Sequence, residues 1–136
     1  MPDLNSPRRP GRFGVAAAFA LALAGAACAP LASPENIFIV FYTPNSGNLG
    51  PDAMDVIADA TKAAVAAPVR QVYVRGYTDS KGSPEANRTL SRLRVQVVRD
   101  TLVADGVPAS RITIQPKGAQ GGDPGVESRR VEIELR

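Results

Sequence analysis

An acidic and a basic side chain with complementary chemistry flank one junction in this sequence. Asp79 follows directly after the strand-forming run that ends at Thr78, and Arg94 lies fifteen positions further along, in a stretch with helical character. A carboxylate accepts hydrogen bonds from an ammonium group, and a guanidinium binds a carboxylate through two parallel hydrogen bonds. Together the two residues predict a site for a ligand that carries both charges. The pattern equally allows a plainer interpretation, in which Asp79 stabilises a turn and Arg94 is a solvated surface residue.

The composition excludes several other kinds of chemistry. The chain contains no histidine, and its single cysteine is Cys28. Ser-His and Cys-His catalysis, the usual zinc sites and an intrachain disulfide are therefore excluded. No second acidic residue accompanies Asp79 at the junction, which disfavours a hydrolase with paired carboxylates. We expect no enzymatic activity, no catalytic residues, no metal and no cofactor.

The positive charge gives little support to nucleic-acid binding. The net charge is +3, but residues 1–27 hold three arginines against one aspartate, which leaves 13 basic against 12 acidic residues in the rest of the chain. A nucleic-acid-binding domain needs a basic face on the folded part. Tryptophan is absent and aromatic residues make up 5% of the chain, so base-stacking platforms are not expected either.

The N-terminal region has the pattern of an export signal. Residues 8–12 are basic and residues 13–32 form an uncharged, alanine-rich run, which predicts a secretory signal over residues 1–27. A retained transmembrane helix is the alternative, because the run is marginally long enough to span a bilayer. The sequence before Cys28 resembles a bacterial lipobox, although Gly25 stands where an aliphatic residue is usual. We therefore predict that Cys28 is lipidated and begins the mature chain, with ordinary signal cleavage as the alternative.

The remainder divides into a short linker, residues 28–35, and one domain, residues 36–136. Hydrophobic patterns and turn residues in that domain predict four strands and two helices in the order β-α-β-α-β-β. The strands are residues 37–42 (a fully buried run), 69–78, 111–116 and 131–135, and the helices are residues 51–67 and 83–104. This order predicts a two-layer α/β (α+β) sandwich, with both helices on one face of a mixed four-stranded sheet.

The second helix determines whether Asp79 and Arg94 can share a site. Ser83 is the predicted N-cap. Its predicted core stripe lies beside the line of Asn87, Ser91 and Arg94, and consists of Ala86, Leu90, Leu93, Val97 and Thr101. A straight helix from residue 84 would carry Arg94 about 15 Å away from the junction. We therefore expect either that residues 80–87 fold back over the sheet end or that the regular helix begins nearer Asn87.

Four blocks of sequence, in the same order, resemble the C-terminal domain of OmpA-like proteins, a family that includes the peptidoglycan-associated lipoproteins. The resemblance covers residues 36–136. The blocks are Gly76-Tyr77-Thr78-Asp79-Ser80-Lys81-Gly82-Ser83, Asn87-Arg88-Thr89-Leu90-Ser91-Arg92-Leu93-Arg94, Gly106-Val107-Pro108-Ala109-Ser110-Arg111-Ile112 and Arg129-Arg130-Val131-Glu132-Ile133.

The resemblance implies non-covalent binding of peptidoglycan through the diaminopimelate of its stem peptide. Asp79 would accept hydrogen bonds from the ligand's ammonium and Arg94 would bind its carboxylate, while Thr78, Asn87 and Arg130 match further positions in or near the pocket. With the lipid on Cys28, the protein would be anchored in the outer membrane on its periplasmic face. Peptidoglycan, the membrane and other envelope proteins are the expected partners, and nucleic acid is not.

The sequence departs from the family pattern around the rim of the pocket. Tyr77 replaces a frequent histidine, Ser128 replaces an asparagine, and the loop of residues 117–127 is shorter than usual. Two alternatives therefore stay open. One is a structural envelope protein that binds another protein and has a weak or vestigial wall pocket. The other is a stator-like protein with an uncleaved N-terminal helix.

Overall fold

The computed structural model describes residues 36–121 and 125–136 and shows a two-layer α+β domain. The elements, in chain order, are β1 (Ile37–Phe41), α1 (Pro51–Ala66), β2 (Val72–Thr78), α2 (Pro84–Ala104), β3 (Ile112–Ala119) and β4 (Arg130–Leu135), with single 3-10 turns at Ala109–Arg111 and Val126–Ser128. The predicted signal, the linker and Cys28 lie outside the described residues. No helix in the described ranges is sufficiently long and apolar to cross a membrane.

The four strands form one mixed sheet in the order β1-β4-β2-β3. The β2 and β3 strands are parallel and connected through α2, whereas β4 is antiparallel to both of its neighbours, β1 and β2. Both helices pack on one face of the sheet, and the buried apolar side chains between the layers form a single core. The predicted fold class is therefore confirmed.

The first strand is half-buried rather than fully buried. In β1, the side chains of Phe38 and Val40 enter the core, while Ile37, Ile39 and Phe41 are 53%, 40% and 51% exposed. The continuous apolar run predicted burial on both faces. That prediction was wrong because both helices cover the same face of the sheet, so alternate side chains of β1 point to the open face.

The first helix follows its predicted bounds closely, and its buried residues include Ala53, Ile57, Ala60 and Ala64. Met54 and Val65 were predicted as core residues, but they are 43% and 55% exposed. Each lies one position beyond a buried residue. A step of one residue turns the side chain by about 100° around a helix, which takes both side chains past the edge of the core-facing stripe.

The second helix buries a different face from the one its leucines predicted. Its buried residues are Asn87, Ser91, Arg94, Val95, Val98 and Leu102. Leu93 is 51% exposed, and together with Ala86 and Leu90 it lines an open surface groove. The predicted core stripe is therefore wrong by one position. The polar line of Asn87, Ser91 and Arg94 faces the sheet, because the helix lies against backbone that carries no side chain.

Two glycines of the sheet make that close contact possible. A Cβ built on Gly76 would lie 2.8 Å from the backbone oxygen of Ser91, and one on Gly118 would lie 3.6 Å from the backbone nitrogen of Arg88. The Ser91 hydroxyl uses the proximity: it accepts a hydrogen bond from the Gly118 amide at 3.1 Å and donates one to the Arg88 carbonyl at 3.0 Å. The first turns of α2 are thus seated directly on β2 and β3.

The third strand is longer than predicted. It continues past Pro116 to Ala119, so the following loop begins at Gln120 rather than Lys117. Proline lacks the amide proton that a central strand needs on both sides, but β3 is an edge strand and tolerates it. The pairing with β2 shifts register between Gly76 and Tyr77, where the longer strand accommodates an irregularity.

Candidate functional site

Asp79 lies at the end of β2, in the turn that reverses the chain into α2. Its Oδ1 accepts a hydrogen bond from the Lys81 amide at 3.1 Å, and Gly82 takes a positive φ of 90°. Ser83 then caps the helix by accepting a hydrogen bond from the Ala86 amide at 3.1 Å, which confirms the predicted N-cap. One carboxylate oxygen of Asp79 therefore stabilises the turn, as the plainer interpretation held. The other oxygen, Oδ2, has a different partner.

Arg94 is fully buried, with 0% exposure. Its Nε donates to the Ser46 carbonyl at 2.8 Å, its Nη1 to the Tyr77 carbonyl at 3.1 Å and its Nη2 to the Thr43 carbonyl at 3.3 Å. The ring of Tyr42 lies beneath the guanidinium, 4.6 Å from Cζ to the ring centroid. Arg94 is therefore no solvated surface residue: it joins the loop after β1 to the end of β2.

The fold brings Arg94 back to the Asp79 junction. The regular helix begins at Pro84, so the expectation of a later helix start is wrong. Instead, α2 runs back over β2, and the Arg94 side chain points toward the helix N-terminus, as helical side chains do. Its Nη1 reaches the carbonyl of Tyr77, two residues before Asp79. Burial lowers the pKa of Arg94, while the charge of Asp79 opposes that shift.

The residue in direct contact with Asp79 is Arg129, which the sequence interpretation did not select. Its Nη1 lies 3.4 Å from Asp79 Oδ2, and the two side chains are only 16% and 12% exposed. Its Nε donates to the Tyr42 carbonyl at 3.2 Å, and its own carbonyl accepts from the Tyr42 amide at 2.8 Å. Alternation along β4 could have identified it, because Val131, Ile133 and Leu135 point to the core and Arg129 shares their parity.

Arg130, the predicted site residue, faces the other side of the sheet. Its Nε donates to Glu132 Oε1 at 2.8 Å, and its Cζ lies 4.2 Å from the centroid of the Tyr77 ring. With Tyr77, Thr78 and Ser128 it lines a cavity of about 190 Å³ at the end of the sheet. The structure therefore does not bring Arg130 to the Asp79 carboxylate, although both residues belong to the same end of the domain.

Thr78 and Asn87 lie close to the junction and are almost fully buried. Thr78 is 4% exposed, and its hydroxyl has no hydrogen-bond partner among the described residues. Asn87 is 6% exposed and lines a second cavity of about 190 Å³, together with Gly82 of the turn and Gly118 of β3. Among the predicted site residues, Asp79, Arg94, Thr78 and Asn87 therefore gather at one end of the sheet.

The arrangement is a cluster of charges held in a largely dry setting. Tyr42 is 4% exposed, and burial raises the pKa of its hydroxyl to about 12 despite the nearby Arg94. Opposite charges interact more strongly where water is excluded. The cluster can therefore bind a small ligand with both an ammonium and a carboxylate, and it offers no nucleophile or proton-transfer pair for catalysis within the described residues.

Comparisons with known proteins agree with this picture. The model of the OmpA family matches residues 41–130. An outer membrane protein of Gluconacetobacter diazotrophicus is 30% identical over 118 residues, which cover 76% of this chain and 31% of that protein. The peptidoglycan-associated lipoprotein of Agrobacterium fabrum is 29% identical over 113 residues, which cover 79% of this chain and 59% of that protein. The chain thus spans less than two thirds of the length of these relatives.

Solved structures show the same fold. The crystal structure of the peptidoglycan-associated lipoprotein from Burkholderia pseudomallei superimposes with a TM-score of 0.67 at 21% identity, covering 73% of this chain and 90% of that one. At this level of identity the similarity concerns the architecture of the domain. It supports the order of strands and the packing of both helices on one face of the sheet.

Proposed function

Because the chain belongs to the OmpA family, we propose that it is a cell-envelope protein that binds peptidoglycan non-covalently through the diaminopimelate of the stem peptide. Members of the family are structural rather than enzymatic proteins. The name of one relative, the peptidoglycan-associated lipoprotein, supports the wall as partner. In this proposal Asp79 receives the ammonium of the free end of diaminopimelate, and the neighbouring guanidinium groups attract its carboxylate. Thr78 and Asn87 line the site.

The observation that carries the proposal is the state of Arg94. Its guanidinium is fully buried, yet no acidic side chain of the described residues lies within 4.0 Å of it. A buried charge without an ionic partner costs several kcal/mol unless other groups compensate. Here three backbone carbonyls and a tyrosine ring hold the cation in place. A fixed positive charge beside Asp79 suits a ligand that brings its own carboxylate.

Co-sedimentation with peptidoglycan sacculi tests the proposal. We expect Asp79→Asn to lower the affinity for sacculi at least about tenfold, because a hydrogen bond to a charged group contributes roughly 1.5–3 kcal/mol. Arg94→Lys keeps the charge but loses the planar fork, and it too should weaken binding. Asp59→Asn and Arg92→Lys, at exposed positions on the two helices, are the matched controls.

Thermal unfolding of each variant separates loss of binding from loss of fold, since Arg94 also holds three carbonyls. If the folded Asp79 and Arg94 variants pellet like wild type, the pocket assignment is refuted. Release of sugar or peptide fragments from the sacculi would contradict the assignment as a binding protein. Stem peptides with an amidated diaminopimelate should bind more weakly, because amidation removes the anion.

The membrane attachment is a separate part of the proposal. We propose that Cys28 is lipidated and that the protein tethers the outer membrane to the wall from the periplasmic side. Metabolic labelling with a fatty acid should mark the wild type and leave Cys28→Ser unlabelled. Gly25→Leu, which restores an aliphatic residue to the lipobox, should be processed at least as fast as wild type. Equal labelling of wild type and Cys28→Ser would exclude this anchor.

A second candidate function is favoured by the exposed side chains of β1. The apolar residues Ile37, Ile39 and Phe41 form a row on the open face of an edge strand. Edge strands without charges or prolines can pair with another chain. An envelope protein that binds a partner through β1 would lose that partner in Ile39→Lys and keep it in Asp79→Asn. The wall-binding proposal predicts the reverse for sacculi.

A further inference from the structure

The ion pair between Asp79 and Arg129 occupies the carboxylate that the proposed function assigns to the ligand. Arg129 Nη1 lies 3.4 Å from Asp79 Oδ2, and Asp79 Oδ1 is used by the Lys81 amide. An incoming ammonium group must therefore reach Oδ2, where it meets the guanidinium of Arg129. Binding at Asp79 cannot be described without saying where that guanidinium goes.

A ligand with a single charge would be a poor competitor for this pair. An amine that displaced Arg129 from Asp79 would separate a guanidinium from its carboxylate in a setting where both side chains are less than one-fifth exposed. A simple carboxylate that bound Arg129 would in turn deprive Asp79 of its partner. Separating a largely buried ion pair is strongly unfavourable. A zwitterion avoids both costs, because its ammonium can pair with Asp79 while its carboxylate pairs with Arg129.

Accessibility also distinguishes the two guanidinium groups near Asp79. Arg94 is 0% exposed, and each of its three nitrogens already donates to a backbone carbonyl. The side chain of Arg129 is 16% exposed, and its contact with Asp79 is long for an ion pair with a hydrogen bond. Arg129 is therefore better placed to meet a ligand, and Arg94 is better placed to fix the loops around it.

We propose that Arg129 is the ligand-binding residue that receives the carboxylate of the diaminopimelate, and that this zwitterion binds by inserting into the Asp79–Arg129 ion pair. The inference rests on the proposed function and refines it. Arg94 then acts as a positioning residue: it joins the carbonyls of Thr43 and Ser46 to that of Tyr77 and adds positive charge behind the site. Arg130 has no part in the contact, because it faces the other side of the sheet.

A thermodynamic cycle between protein and ligand tests this assignment. The proteins are the full chain in mild detergent as wild type, Arg129→Gln, Arg94→Lys and Arg130→Gln. The ligands are two stem tripeptides, one with free meso-diaminopimelate and one amidated at the carboxylate on the same carbon as the free ammonium. Calorimetry gives the ratio of the two affinities for each protein. A cycle isolates the interaction between the two altered groups and cancels effects common to both ligands.

We expect the wild type to prefer the free peptide at least about tenfold, in keeping with a charge-assisted hydrogen bond. In Arg129→Gln that preference should fall to within about twofold, whereas Arg130→Gln should keep the wild-type preference. If Arg129→Gln keeps the preference and Arg94→Lys loses it, Arg94 holds the carboxylate; this inference is then overturned and the proposed function stands. If the wild type does not bind the free peptide, both fail.

Discussion

Replacing Gly76 by alanine should separate α2 from the sheet at the turn that carries Arg94. A Cβ at this position would lie 2.6 Å from Val95 Cγ1 and 2.8 Å from the Ser91 carbonyl oxygen. Ordinary contacts between carbon atoms are about 3.5–4.0 Å, so the helix must move by roughly 1 Å. Neither neighbour can give way alone, because one is backbone and the other is a β-branched side chain with a restricted rotamer in a helix.

The expected cost follows from the kind of contact. Added volume in a well-packed interior typically destabilises a protein by about 1–3 kcal/mol. For a domain of this size each kcal/mol corresponds to roughly 4–8 °C in Tm. The displaced turn also carries Ser91 and precedes Arg94, so the hydrogen bonds to Gly118 and Tyr77 should lengthen. We therefore expect weaker binding to sacculi even at temperatures where the variant is folded.

Urea unfolding followed by circular dichroism measures the change, and co-sedimentation measures the binding. Gly50→Ser is the matched control: a Cβ at Gly50 meets nothing within 4 Å, and serine is a slightly better N-cap for α1 than glycine. We expect that control to change stability by only a few tenths of a kcal/mol. A Gly76→Ala variant as stable as wild type would refute the argument that this glycine permits the close contact of α2 with β2.

Three further predictions follow from the described contacts. Arg111→Met should destabilise the domain by roughly 1–3 kcal/mol, because it leaves the carbonyls of Ala64, Ala67 and Arg70 without their donor, whereas Arg88→Met at an exposed position should not; urea unfolding compares them. Raising the pH from about 10 to about 12 should reduce the free energy of unfolding, since burial raises the folded-state pKa of Tyr42 to about 12 and the unfolded chain loses this proton first; Tyr42→Phe should abolish that contribution, and an absorbance titration that finds Tyr42 ionising near pH 10 would contradict it. Ile39→Thr should leave stability within about 0.5 kcal/mol of wild type while reducing self-association at high concentration, because Ile39 lies on the open face of an edge strand; a loss comparable to that of a core residue such as Val40→Thr would show that the open face is covered.

Much of the fold was predictable from local pattern because local pattern is where its causes lie. The Ser83-Pro84-Glu85 start fixes the beginning of α2 through a side-chain cap and a proline at the first helical position. The alternation of Val131, Ile133 and Leu135 fixes the core face of β4. The apolar run of β1 identified a strand but not its exposure, because exposure depends on whether a second layer covers the other face.

The same division holds for the candidate site. The sequence by itself placed Asp79 at a strand end and Arg94 on the following helix, and the resemblance gave both a chemical meaning. It could not tell which face of α2 is buried, because the leucines at positions 90 and 93 formed a better apolar stripe than the true one. Only the tertiary structure showed that Gly76 and Gly118 admit the polar stripe instead, which buries Arg94.

Tertiary structure alone also decided the partner of Asp79. Arg129 is fifty positions away along the chain, and adjacent Arg130 carries the same charge, so no local pattern assigns the contact to one of them. The pairing of β4 beside β2 settles it, since it sets which of two successive arginines faces the helices and which faces the open side of the sheet. Sequence determined the residue types available at this end of the domain, whereas strand order and parity determined which charges meet there.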